Sequence, residues 1–258
     1  MKIKAFIVVL ALLFLSPIRA AFADEITIAS DPFCPYVCTP GDKPGYMVEI
    51  AQAILEVNGY TLNYVNMPWS RALAEASSGN IDGVIGTDEV EAPGFLFPVA
   101  FGEAADHFYG RKGEKWRYKG IKSLKSIRLG VIKDWSYGDA IDAYVAKNIG
   151  TDAVQVVTSE HGLAQNIKKL LSERIDVMIG PDKVFKYTVE EMKDTMDSFE
   201  DTGVLWSTYG VYMAFSPAPA NLEKSKAYVD VINKGLPVLR DSGKLEAIMN
   251  KYGLSDWK

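Results

Sequence analysis

Two stretches of this 258-residue chain nearly repeat each other: SGNIDGVIGTDEV at Ser78–Val90 and SERIDVMIGPDKV at Ser172–Val184. Serine, Ile-Asp, Ile-Gly, Asp and Val recur at an offset of 94 residues, as Asp88 and Asp182 show. Arrays of stacked repeats need shorter units and more copies than this. Two α/β halves, each ending on the same strand and turn, explain the echo instead.

The elements between the echoes agree. EITIAS reads as a strand and is followed by a Pro-, Cys- and Gly-rich loop from Asp31 to Gly45. Met47, Ile50, Ala51, Ile54 and Leu55 fall at helical spacing, and Gly59 stops that helix. TLNYV is a strand, WSRALAEASSGN a short helix ended by Gly79, and IDGVIG a buried strand. A strand–helix–strand–helix–strand run predicts right-handed crossovers and a parallel sheet core. After a basic, polar segment reaching Lys125 the pattern restarts: strand IRLGVI, helix YGDAIDAYVAKNIG, strand AVQVVT, helix EHGLAQNIKKLLSE, strand IDVMIG and helix KVFKYTVEEMKDTM. EEMKDTMDSFEDTG reads as an exposed acidic helix and turn. The tail offers strand GVYMAFS and two helices, Ala220–Val238 and Gly243–Tyr252, expected to return over the first half. Short crossings near His107–Arg111 and Tyr209–Phe215 join the halves, and a cleft between two such lobes is where ligands usually sit.

The N-terminus sets the compartment. Lys2 and Lys4 precede an apolar run from Ala5 to Leu15, and Ala21–Ala23 read AFA. This is the layout of a secretory signal peptide, residues 1–23, and it implies an exported protein. Its removal takes away Lys2, Lys4 and Arg19 and moves the net charge from −5 to −8. That balance argues against nucleic acid and anionic membrane as partners, because both need a basic footprint. The only cysteines, Cys34 and Cys38, sit in DPFCPYVC. In an exported protein such a pair reads first as a disulfide stapling one loop. A redox motif would want C-x-x-C, and His107 and His161 have no metal-like spacing to the pair, so no metal or cofactor is expected.

With these pieces in order, the mature chain resembles the type II periplasmic solute-binding proteins, in the family that includes amino-acid-binding components of ABC importers. The residues that carry the resemblance are PGYMVEIAQAILEVNGY, MPWSRALAEASSGNIDGVIGT, FPVAF, IRLGVI, LLSERIDVMIG and YGVYMAFSPA…LPVLRDSGKLEAIMNKYG. The resemblance implies a two-lobed Venus-flytrap α/β fold of type II, with mixed, mostly parallel sheets. Lobe 1 would comprise residues 24–110 and 208–258, and lobe 2 residues 111–207. One departure stands out. Amino-acid binders of this family resemble T-x-E-R after the first-lobe strand, and the arginine pairs the ligand carboxylate; here the loop is TDEVEAP, with Val90 at that place. Valine cannot form the guanidinium fork. Arg71 is the candidate replacement.

Ligands of open α/β sheets bind beyond the carboxyl ends of the strands. That rule selects Gly86, Thr87 and Asp88 on one rim and Asp182 on the other, each aspartate being either a ligand acceptor or a helix cap. The resemblance adds that binders of this family place an amine-pairing acid in the loop of Asp182. Trp69 and Arg71 pair an aromatic face with a guanidinium, or else divide between core and solvent. Phe33 and Tyr36 flank Cys34 and are ligand-facing rings held by the disulfide, or core and surface residues. Trp135, Ser136 and Tyr137 lie between a strand end and a helix start, where a ligand or merely an N-cap is served.

The function expected is capture of a small polar ligand, amino-acid-like or another small carboxylate or amine, by a monomer for delivery to an ABC permease. A ligand sensor for a membrane receptor uses the same physics. A dehydratase-like enzyme on this fold is the rival from another class, with Glu103, His107 or Asp182 as acid or base. No nucleophile–base pattern, metal cluster or phosphate loop supports it, and a non-enzyme is expected.

Overall fold

The computed structural model describes residues 24–158 and 161–258. The expected signal peptide lies outside them. β1 (Asp24–Ser30), α1 (Tyr46–Val57), β2 (Tyr60–Asn66), α2 (Trp69–Ser78) and β3 (Gly83–Thr87) form the first run. β4 (Gly102–Arg111) crosses over, and β5 (Leu129–Ile132), α3 (Asp139–Asn148), β6 (Val154–Val157), α4 (Gly162–Leu171) and β7 (Val177–Pro181) repeat the run, followed by α5 (Asp182–Glu191). β1 pairs in parallel with both β2 and β3, and β5 pairs in parallel with both β6 and β7. The echoing strands β3 and β7 thus hold equivalent places. The helix α1 turns an apolar stripe to the sheet: Met47, Ile50, Ala51, Ile54 and Leu55 are all buried.

The long strand β8 (Phe199–Phe215) ties the halves together in the order β2-β1-β3-β8-β4-β7-β5-β6. It runs antiparallel to β4 over most of its length and to β3 at its end. Here the sequence misled: FEDTG forms the start of this strand, whereas its polar residues read as an exposed turn. Pairing with β4 supplies the ladder that Glu200, Asp201, Thr202 and Gly203 do not announce by alternation. α5 accordingly stops at Glu191.

The tail forms α6 (Leu222–Asp241) and α7 (Lys244–Asn250), both packed on α1. α6 continues past Pro237 because Leu236 and Leu239 are buried on either side of it. Beyond α7, the Tyr252 hydroxyl accepts from the Gly45 N–H (3.0 Å) and donates to Glu49 (2.7 Å), fixing the start of α1. Among the described residues no helix is long and apolar enough to cross a membrane.

Candidate ligand-binding cleft

A cleft of about 540 Å³ opens at the carboxyl ends of β1, β3, β5 and β7. On the β3 side, Gly86 adopts φ +86°, and the register with β8 shifts between Ile85 and Thr87. This bulge needs a residue without a Cβ. It delivers Asp88, whose Oδ1 accepts from the N–H groups of Val90 (2.8 Å) and Glu91 (2.9 Å). The tightened turn brings Glu91 to the cleft wall.

The β1 loop supplies Asp31 and Phe33. Cys34 and Cys38 are disulfide-bonded, and the Phe33 N–H donates to Val37 O (2.7 Å) across the closed loop. Phe33 stacks on Tyr36 beneath it, with ring centroids 5.2 Å apart. Its edge meets Trp135 from the opposite wall at 6.0 Å. That contact spans the cleft.

On the β5 side, Trp135, Ser136 and Tyr137 lead into α3. The buried Tyr137 hydroxyl accepts from the Ile132 N–H (2.8 Å). Asp142, one turn into α3, accepts from the Ser136 hydroxyl (3.1 Å) and the Tyr137 N–H (2.9 Å), so the helix carries its own anion there. Trp206 lies directly over Gly138, where an added Cβ would stand 2.7 Å from the indole. The floor comes from β4 and β8. The Tyr209 hydroxyl donates to Asp106, which is only 7% exposed.

Carboxylates dominate the electrostatics. Asp31, Asp88, Glu91, Asp106, Asp134 and Asp139 line the cleft, and Lys, Arg and His are absent from its described lining. Burial pushes the Glu91 carboxyl up to about 7, with repulsion from Asp88, Asp31 and Asp106 adding to it. Burial likewise raises Asp106 to about 6; the Tyr209 hydrogen bond and His107 oppose the rise, while Asp182 and Asp88 reinforce it. Among the described residues no three His, Cys, Asp or Glu groups come together as a metal site.

Of the residues expected from the sequence, Phe33, Trp69, Gly86, Thr87, Asp88, Trp135, Ser136 and Tyr137 line the cleft. Tyr36, Arg71 and Asp182 lie outside its lining. Tyr36 is fully buried under Phe33 and donates to Glu103 O (2.5 Å). Asp182 begins α5 and accepts from the Ala105 N–H (3.3 Å), with Lys183 at 3.4 Å. The Arg71 side chain is 67% exposed and pairs with Glu75 at 3.6 Å, one turn along α2. Val90 is 79% exposed at the rim. The acid–base candidates Glu103 and His107 are likewise absent from the lining, and His107 Nδ1 instead meets Asp201 at 2.7 Å.

Glu91, Asp106, Trp206 and Tyr209 went unread in the sequence. Glu91 carried a usable signal, since it sits in the same TDEVEAP loop as Asp88. Asp106, Trp206 and Tyr209 lie on strands whose cleft face is set by the bulged pairing of β4 with β8.

No protein-family model matches the chain, and no curated protein sequence matches it. Solved structures do. A histidine kinase sensor domain with similarity to periplasmic binding proteins aligns with TM-score 0.68 at 19% identity, over 92% of this chain and 100% of that one. An ancestral arginine-binding protein bound to arginine aligns with TM-score 0.66 at 19% identity, over 90% of this chain and 99% of the other. A structure described for glutathione import via GshT and the cystine ABC importer TcyBC of Streptococcus mutans reaches TM-score 0.70 at 17% identity, over 90% and 96% of the two chains. The chain has the periplasmic-binding-protein-like fold. At these identities the likeness extends to the fold and stops there.

Proposed function

We propose that this is an exported solute-binding protein that captures a small polar molecule in the cleft and presents it to a membrane permease. The observation that carries the reading is the composite cleft. Its walls come from the equivalent strand ends of two halves, bridged by the Phe33–Trp135 contact. A ligand there gains contacts from both halves only when they are close, which favours the closed form. The hinge divides residues 24–110 with 208–258 from residues 111–207, and the protein acts in the periplasm as a monomer without cofactor. Asp182 and Tyr36 support the wall from behind, through Ala105 and Phe33. Presentation to a membrane receptor would use the same capture step; the likeness to a sensor domain is one of fold only.

Thermal-shift screening against a solute library, followed by native mass spectrometry, tests this reading. One class of solute should raise the melting temperature and be recovered unchanged as a one-to-one complex. Chemical turnover of the bound solute, or no stabilisation by any solute class, would overturn it.

A further inference from the structure

Resting on the solute-binding reading, we propose that the ligand is a small organic cation without a carboxylate. Its charge is held by Asp88, Glu91 and Asp106, and its hydrocarbon by Trp69, Trp135 and Trp206.

Counter-charge comes first. A carboxylate entering this cleft would find acids on both walls and no basic side chain in the described lining. Burying an unpaired anion is strongly unfavourable. The positions from which a guanidinium or ammonium might answer are otherwise committed. Val90 is apolar, and Arg71 points to solvent beside Glu75. Lys183 donates to Glu103 O (2.8 Å), while Lys133 stands 4.0 Å from Asp134 at the rim. The start of α3, the natural dock for an anion on the second wall, already carries Asp139 and Asp142 in its first turn, and both repel one.

The rings specify the rest. Indole faces attract ammonium and guanidinium groups, most strongly where water is excluded. A metal ion fits less well, because the described carboxylates do not converge as a ligand set. They are spread around an aromatic cavity, as an extended organic cation requires. Glu91 and Asp106 hold protons more tightly than ordinary carboxyls, so a cation entering beside them displaces protons. The titratable groups that act on Glu91 are Asp88, Asp31, Asp106 and Tyr209; those that act on Asp106 are Tyr209, Asp182, His107, Asp88 and Glu91.

Three matched pairs differ essentially by a carboxylate: agmatine and arginine, cadaverine and lysine, choline and glycine betaine. Calorimetric titration of the whole exported protein at pH 8 should show at least one carboxylate-free member binding tenfold or more tighter than its partner. Affinity for that member should fall tenfold or more by pH 5.5, as Glu91 and Asp106 take up protons. Glu91→Gln should weaken it tenfold or more at pH 8 and flatten the pH dependence, with circular dichroism confirming the fold. Equal or tighter binding of every carboxylate-bearing partner overturns the inference and leaves solute binding intact. So does binding of neutral or acidic amino acids when none of the six probes binds. Cation binding indifferent to pH and to Glu91→Gln overturns the placement of the charge. Failure of every solute in the wider screen removes both readings together.

Discussion

Glu91 shows what one residue's surroundings do to its chemistry. Burial and three neighbouring acids lift its carboxyl from an ordinary 4.5 to about 7. The unfolded chain releases this proton near 4.5, whereas the folded protein holds it to about 7. Between those values the folded state binds more protons, so stability is full below the lower value and falls as pH rises. A shift of this size corresponds to on the order of 3 kcal/mol. Asp106, raised to about 6, acts in the same direction. We therefore expect the ligand-free protein to lose stability between pH 4.5 and 7, and Glu91→Gln to remove much of that slope. Urea midpoints across the range measure it, and an unchanged slope in the variant would contradict the assignment. None of this was legible in TDEVEAP. The sequence shows an acid three residues after Asp88, but desolvation depends on what folds over it. The same limit applies to Arg71, whose place beside Trp69 gave no sign that it faces solvent with Glu75.

Between elements, the repeated Ile-Asp has a structural meaning that the sequence reading passed over. Asp82 Oδ2 accepts from the Thr27 N–H (2.8 Å), and the Asp82 N–H donates back to Thr27 O (2.9 Å). Asp176 does the same with Arg128, at 2.8 and 2.9 Å, and its carboxylate also takes the Arg128 guanidinium at 2.6 and 3.0 Å. Each aspartate, immediately before an echoing strand, clamps that strand's start to its parallel neighbour, at the middle of β1 in the first half and just before β5 in the second. Hydrogen bonds to a charged group at a part-buried site are worth about 1.5–3 kcal/mol each. Asp82→Ala and Asp176→Ala should each lower the unfolding free energy by an amount on that scale, read from denaturant melts. Arg128 holds the Asp176 carboxyl below its ordinary value, so its contribution is present above pH 3.8 and lost as the solution is acidified through the folded value. A neutral effect of both substitutions would show that the clamps are dispensable.

For the molecule as a whole, the cleft depends on how the halves meet. The Phe33–Trp135 edge contact joins a disulfide-tied loop of the first run to the β5 loop of the second. Aromatic pairs of this geometry contribute about 0.5–1.5 kcal/mol beyond burial. If closure and ligand binding are coupled, Phe33→Ala should weaken ligand affinity roughly two- to tenfold. Small-angle scattering should show the ligand-saturated variant less compact than the parent protein. Equal affinity and equal compactness would show that this contact does not bias closure.

The α/β alternation, the two echoing runs and the strand ends carrying Gly86, Thr87 and Asp88 follow from hydrophobic period and turn residues, which act locally. The sequence by itself therefore determined the two strand–helix–strand–helix–strand runs and the strand end of β3 at the cleft, apart from some boundaries. The continuation of β8 through Phe199–Gly203 was decided by pairing with β4. The echo's two ends also diverged through tertiary contacts: Asp88 turns a loop into the cleft, while Asp182 caps a contact to Ala105 behind it. The charge of the cavity was decided the same way. Glu91 and Asp106 lose water only because residues far apart in the chain close over common space, and desolvation is a property of that space.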